Sequence, residues 1–192
     1  MIEEDALTVF DFFVKELGIN EKDIIICGRS IGSGPSVYLA ANRNPGGLIL
    51  ISPFKSIRET ANSILGFLKF IVADRFKNIE IIEQVTCPLL IIHGQKDNLI
   101  PFSHSVELTQ NTSGPYELIL PEEMDHNEFN LYEDFLEPIT NFLKRHNLLN
   151  QITSKPIELK NELFEIPEYI TDPENLKKKD IMSKVIRKML KI

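Results

Sequence analysis

Three residues of this chain could together perform acyl transfer: Ser30, Asp97 and His126. A serine hydroxyl is a poor nucleophile until a base takes its proton and a third group orients that base. Ser30 lies in Gly28-Arg29-Ser30-Ile31-Gly32, a G-x-S-x-G pattern. The apolar, mostly β-branched run Ile24 to Cys27 precedes it and reads as a strand buried on both faces. A helix is predicted over Ile31 to Asn44, with Val37, Leu39, Ala40 and Ala41 on its apolar side and Pro35 near its first turn. Strand, tight turn and helix make a nucleophile elbow. Glycines at 28 and 32 leave room for the turn and Ser30 is lifted clear of the sheet. The Ile31 N–H points into the same space, where it could serve as an oxyanion donor. Taken alone, the five residues suit a plain Gly/Ser turn equally well; the flanks favour the elbow. No G-x-x-x-x-G-K-[ST] phosphate loop aligns here, and Val37 stands where a dinucleotide fingerprint needs its third glycine.

The partners of an elbow serine follow in the order acid, histidine, each just beyond a strand. Pro88 to Gly94 reads as a buried strand, and Gln95-Lys96-Asp97 leaves its end. Tyr116 to Leu120 is the next strand, leading to Asp125-His126-Asn127. Order and strand context therefore both select Asp97 and His126. The remaining candidates suit other roles. His93 closes the Pro88 strand and reads as structural, while His104 and His146 fall on helices and read as solvated. Asp125 adjoins His126, but neighbours in an extended segment point apart, which makes it the weaker orienting acid. Asp74 suits a local polar contact. Histidines and carboxylates do not cluster at ligand spacing, so neither a metal nor another cofactor is implied.

These same stretches carry a family resemblance. Residues 24–35, 48–53, 87–97 and 125–127 resemble the C-terminal half of an α/β-hydrolase, and within that superfamily the alpha/beta-hydrolase-domain-seventeen group. The resemblance implies an α/β fold: a mostly parallel sheet with flanking helices. It implies a serine hydrolase cleaving an ester or thioester, with Ser30, Asp97 and His126 matching the family's triad. The group contains protein depalmitoylases, so the implied substrate is an acyl ester or an S-acylated protein.

The chain departs from that pattern at its start. A complete fold of this type has several strands before the elbow, and an early loop next to an His-Gly motif supplies a second oxyanion donor. Here twenty-two residues precede Asp23, which opens the elbow segment. They read as one helix, with Leu7, Phe10, Phe13, Val14 and Leu17 at helical spacing and Gly18 as its C-terminal cap. The N-terminal strands are expected to be missing, leaving the elbow strand with an unpaired apolar edge. An alternative function follows: a catalytically impaired truncated hydrolase acting as a binding or scaffold element through that edge.

At 192 residues and 43% hydrophobic, the chain is large enough for one sizeable core. The hydrolase body is expected over residues 1–147, an irregular connector with Pro156, Pro167 and Pro173 over 148–173, and a basic amphipathic helix over 174–192. Net charge is −7, and residues 151–192 hold nine basic and seven acidic groups, leaving −9 on residues 1–150. So acidic a body is a poor nucleic-acid partner. Met182, Val185, Ile186, Met189 and Leu190 share one face of the terminal helix, with Lys and Arg around the rest. Such a helix could lie on an anionic membrane surface or dock on its own body. Between residues 55 and 87, Ile64, Leu65, Phe67, Leu68, Phe70, Ile71 and Val72 suit core packing or an apolar wall for an acyl chain. Cys27 and Cys87 do not make a disulfide framework, and no apolar run approaches a membrane span. The expected location is cytoplasmic, peripheral at a membrane if the terminal helix binds one.

Overall fold

A computed structural model describes residues 2–65 and 74–149. Strands β1 (Ile25–Arg29), β2 (Gly47–Ile51), β3 (Leu89–Ile92) and β4 (Tyr116–Ile119) form one parallel sheet in that order. The runs Gly-Leu-Ile-Leu-Ile and Leu-Leu-Ile-Ile are buried at every position, as a parallel sheet covered on both faces requires. Alternate side chains feed two cores. Leu48, Leu50, Leu89 and Ile91 pack with Phe10, Val37, Ile82 and Leu108 on one face. Ile49, Ile51, Leu90 and Ile92 pack with Met124, Phe135 and Phe142 on the other. Each such fully buried side chain contributes roughly 1.5–3 kcal/mol.

The register places the strand ends level. Arg29 pairs with Ile51, Ile51 with Ile92, and Ile92 with Ile119. The next residues along the chain therefore emerge on one rim, the carboxyl edge where open parallel sheets bind their ligands. That rim carries the segments leading to Ser30, Asp97 and His126.

Helices fill the crossovers. α1 (Ile2–Lys15) has Glu3, Glu4 and Asp5 in its first turn and Lys15 in its last, matching the helix dipole. Gly18, at φ +67°, closes it as expected. Asp11 of α1 receives two hydrogen bonds from the Arg43 guanidinium, at 2.7 and 2.9 Å, and these hold its carboxyl well below the usual carboxylate range. α2 (Ser33–Asn42) starts after a 3-10 turn over Ser30–Gly32, so the predicted helix is two residues shorter at each end. α3 (Ile57–Leu65) is capped by Ser56, whose hydroxyl accepts from the Glu59 N–H. α4 (Asn78–Ile81) and α5 (Ser103–Gln110) flank β3 in sequence, and a wide π-type turn over Leu131–Leu136 runs into α6 (Glu137–Arg145).

Several expectations change here. The elbow strand is not buried on both faces: Cys27 is exposed on the face it shares with Ile25 and Arg29, and no strand among the described residues pairs with the outer edge of β1. Phe13, one of the apolar residues at helical spacing, is 40% exposed and lines a groove on that open side, while Phe10 alone of α1 is buried. His104 is buried rather than solvated, and burial pushes its imidazole pKa down. Its Nδ1 lies 3.4 Å from the Lys55 backbone N–H, a contact that suits a neutral ring. His146 is half-buried against Phe142 and 3.3 Å from Glu117. The cysteines are both free, and burial pushes the Cys87 thiol up to about 11.

Leu148, counted with the connector in the sequence reading, still packs on the Phe142 core. The rest of the connector (150–173), the terminal helix (174–192) and most of the apolar wall (66–72) lie outside the described residues. Among the described residues, no helix is long and apolar enough to cross a membrane.

Candidate active site

The turn after β1 is built around a close backbone approach. A Cβ at Gly28 would lie 2.3 Å from Ser36 Oγ and 2.7 Å from the Gly32 carbonyl oxygen, so only glycine fits. Ser30 follows at φ +50°, a left-handed conformation that β-carbon sterics disfavour and that functional turns retain. Gly32 differs from expectation: it has φ −65°, and a Cβ there would meet nothing within 4 Å. It borders the open groove beside β1, so the space its missing side chain would need is already vacant.

Asp97 reaches the rim through a second close approach. A Cβ at Gly94 would sit 2.0 Å from the Met124 carbonyl oxygen, so glycine lets the loop after β3 lie directly against the loop after β4. The Gln95 N–H donates to Pro121 O at 3.0 Å and the Lys96 N–H to Met124 O at 3.1 Å. These contacts bring Asp97 beside His126.

The structure brings the three residues singled out in the sequence into one hydrogen-bonded line. His126 Nε2 lies 3.0 Å from Ser30 Oγ, and His126 Nδ1 lies 2.7 Å from Asp97 Oδ2. Asp97 is buried, which opposes its ionisation. Hydrogen bonds from His93, the Ile100 N–H and His126 outweigh that, and hold its carboxyl well below the usual carboxylate range. An ionised carboxylate only accepts, so Nδ1 of His126 carries the proton and Nε2 is free to accept from the Ser30 hydroxyl. The other Asp97 oxygen, Oδ1, accepts from the Leu99 and Ile100 N–H groups at 2.9 and 2.8 Å. The Ile31 amide lies in the first turn of the Ser30–Gly32 helical segment, where N–H groups have no intrahelical acceptor. Its side chain is 57% exposed.

Two contacts at the site went unforeseen. His93, read only as structural, has its Nε2 at 2.8 Å from Ile100 O and 3.3 Å from Asp97 Oδ2, with Nδ1 at 2.6 Å from Ser105 Oγ. It is a buried second partner of the acid; its position at the end of β3, four residues before Asp97, was the available signal. Arg29 donates to the His126 carbonyl oxygen and, at 3.4 Å, to Asn127 Oδ1. Nothing in the sequence pairs Arg29 with a residue 97 positions away. Asp125, the weaker acid in the sequence reading, instead accepts from the Asn127 and Glu128 N–H groups and shapes the loop. Asp74 makes the expected local contact, 3.6 Å from the Arg58 guanidinium. Among the described residues, no group of three or more His, Cys, Asp or Glu could hold a metal ion.

Parallel sheet, elbow and rim define an α/β-hydrolase fold. Solved structures share it: an acetyl xylan esterase from Paenibacillus sp. R4 superposes with a TM-score of 0.61 at 16% identity, over 75% of this chain and 52% of that one. A monoacylglycerol lipase of Paleococcus ferrophilus does so with 0.56 at 19%, over 75% and 76%. At those identities the likeness concerns the fold alone. The chain belongs to the α/β-hydrolase family. Human alpha/beta hydrolase domain-containing protein 17B is 38% identical over 128 residues, 67% of this chain and 44% of that protein. Caenorhabditis elegans alpha/beta hydrolase domain-containing protein aho-3 is 33% identical over 139 residues, 72% and 41% respectively. The chain thus spans less than half the length of the curated relatives it matches. No family model matches it.

Proposed function

We propose that this chain is a serine hydrolase acting on an acyl ester or thioester. The observation that carries the reading is the continuous line from Ser30 Oγ through His126 to Asp97, at 3.0 and 2.7 Å. Ser30 Oγ attacks the acyl carbonyl carbon while His126 Nε2 takes its proton. The carbonyl π-electrons move to oxygen, which the Ile31 N–H stabilises. The intermediate collapses, the leaving alcohol or thiol receives the proton from His126, and the acyl group stays on Ser30. Water, deprotonated by the same imidazole, then releases the acid. Asp97 keeps the imidazole in the required tautomer and stabilises its charged form. Only one oxyanion donor is assigned, and loss of one donor typically costs about 10²–10³ in turnover. Nucleophile labelling should therefore be more robust than multiple turnover.

S-depalmitoylation of protein cysteines is the specific substrate class we favour, supported by the similarity to the domain-seventeen relatives. Residues 174–192 would then hold the enzyme at the cytoplasmic face of a membrane. Matched acyl esters and acyl thioesters, assayed with the wild type and Ser30→Ala, test both levels. Ser30-dependent turnover faster on long-chain thioesters supports the reading; esters alone being cleaved removes the depalmitoylase claim. Liposome flotation with and without residues 174–192 tests the membrane claim, which fails if the deletion changes nothing.

A second reading has its own observation. Beside β1, opposite β2, Ile2, Val9, Phe13, Ile24, Cys27 and Leu39 border an open cavity of about 570 Å³. On this reading the chain binds through the β1 edge and catalysis is dispensable. Association measured by sedimentation would then survive Ser30→Ala and disappear with Phe13→Asp.

A further inference from the structure

Arg29 is the residue immediately before Ser30, and its side chain does not leave the site. On β1 it shares a face with Ile25, which packs on the Phe142 core, so it points to the side of the sheet where the 124–136 segment lies. There its Nη2 donates to the backbone carbonyl oxygen of His126 and to Asn127 Oδ1. Its guanidinium carbon lies 5.7 Å from the centre of the Phe129 ring, within cation–π range. Phe129 in turn meets Phe135, buried in the core, at 4.6 Å between ring centres. Three features of the histidine loop, at 126, 127 and 129, are thus gripped by one side chain.

We infer that Arg29 is a positioning residue that sets the Ser30–His126 distance. The inference rests on the serine-hydrolase reading, but the geometry is its own. Asp97 fixes the imidazole from behind, through Nδ1, and the Lys96 N–H holds the loop backbone at Met124 O; neither ties the loop to the nucleophile. The Asp125 turn shapes that loop internally, through Asn127 and Glu128, and does not tie it to the nucleophile. Arg29 supplies the tie. Because it is covalently next to Ser30, a bond from its guanidinium to the His126 carbonyl spans nucleophile and base directly. A guanidinium can hold both acceptors from one nitrogen while its flat face lies over a ring; an ammonium is a compact, strongly hydrated point charge without that planar face. The position between Gly28 and Ser30 is an open choice in the motif, and these partners give the arginine found there a role.

The test compares wild type, Arg29→Met and Arg29→Lys in the full chain. Two readouts are used: the fluorophosphonate labelling rate at Ser30, and the NMR signals of the His126 imidazole. Arg29→Met keeps the apolar stem and loses every donor. Its labelling rate should fall about 10- to 10²-fold, the scale expected for a misplacement near 1 Å. The His126 Nδ1 proton signal should broaden or vanish, and the melting temperature should stay near that of the wild type. Arg29→Lys should fall between. On any ester turned over, the loss should appear in kcat with KM held. Phe129→Leu is the second variant; it removes the ring from the clamp and should lower the rate a few-fold. Equal labelling rates with unchanged His126 signals in Arg29→Met would overturn the inference while leaving the hydrolase reading intact. If the wild type itself is not labelled, the hydrolase reading fails. The His126 signals then still decide whether Arg29 holds the loop: altered in Arg29→Met they support it, unchanged they overturn it.

Discussion

Asp97 accepts from two backbone amides and contacts two histidines, inside a fold where β3 and β4 pair along their full lengths. The outer edge of β1, ending one residue before Ser30, instead borders a groove lined by Val9, Phe13, Ile24 and Cys27. The Asp97–His126 half of the rim is closed by its own chain, whereas beside Ser30 no described strand pairs with the outer edge of β1. The contrast has a physical consequence. Substitutions on the first side should act through buried polar and apolar partners with large effects, and substitutions on the second should be nearly free in the isolated chain.

The largest effect is expected at the acid. Asp97→Asn leaves a similar shape but removes the charge that fixes the His126 tautomer, and the Ser30-dependent rate should fall on the order of 10⁴-fold. The same residue predicts a pH effect on stability. Its native pKa lies below the unfolded value, so its stabilising contribution is full above about pH 3.9 and is lost as the pH falls through the native value. Acid unfolding followed by circular dichroism should lose that component in Asp97→Asn.

Next is the core behind the histidine loop. Phe142 is fully buried among Phe135, Leu90 and Ile92, and Phe142→Ala should cost about 3–5 kcal/mol in urea unfolding. A smaller effect is expected at His104. Burial depresses its native pKa, so the unfolded chain takes up its proton first as the pH drops below about 6.5, and stability declines there. His104→Gln should flatten that decline, read as the change in urea midpoint from pH 7 to pH 5. Smallest is the groove: Val9, 56% exposed, should tolerate Val9→Asp within about 0.5 kcal/mol. A large destabilisation there would mean that something covers the β1 edge, and would erase the contrast.

Legibility follows the same divide. Ser30, Asp97 and His126 could be singled out because each follows a recognisable strand, and strand order fixes which rim segments meet. β3 was readable as a buried run because both its faces are covered. β1 looked the same in sequence, yet whether its second face is buried depends on what packs over it, which periodicity cannot report. His104 was misread because a histidine on a short polar helix gives no sign that Lys55 and the core close over it. The reason for Gly28 became visible only with Ser36 in place, and that for Gly94 only with Met124. Arg29 was the least legible, since its partners lie a whole subdomain away along the chain.

The central claim is that Ser30 is an activated nucleophile. A fluorophosphonate probe and intact-mass analysis of the folded wild type, His126→Ala and Ser30→Ala test it most directly. The account predicts one adduct on the wild type, mapped to the Ser30 peptide, much slower labelling of His126→Ala and none of Ser30→Ala. A folded, soluble wild type that gains no adduct, or labels equally with Ser30→Ala, would contradict it.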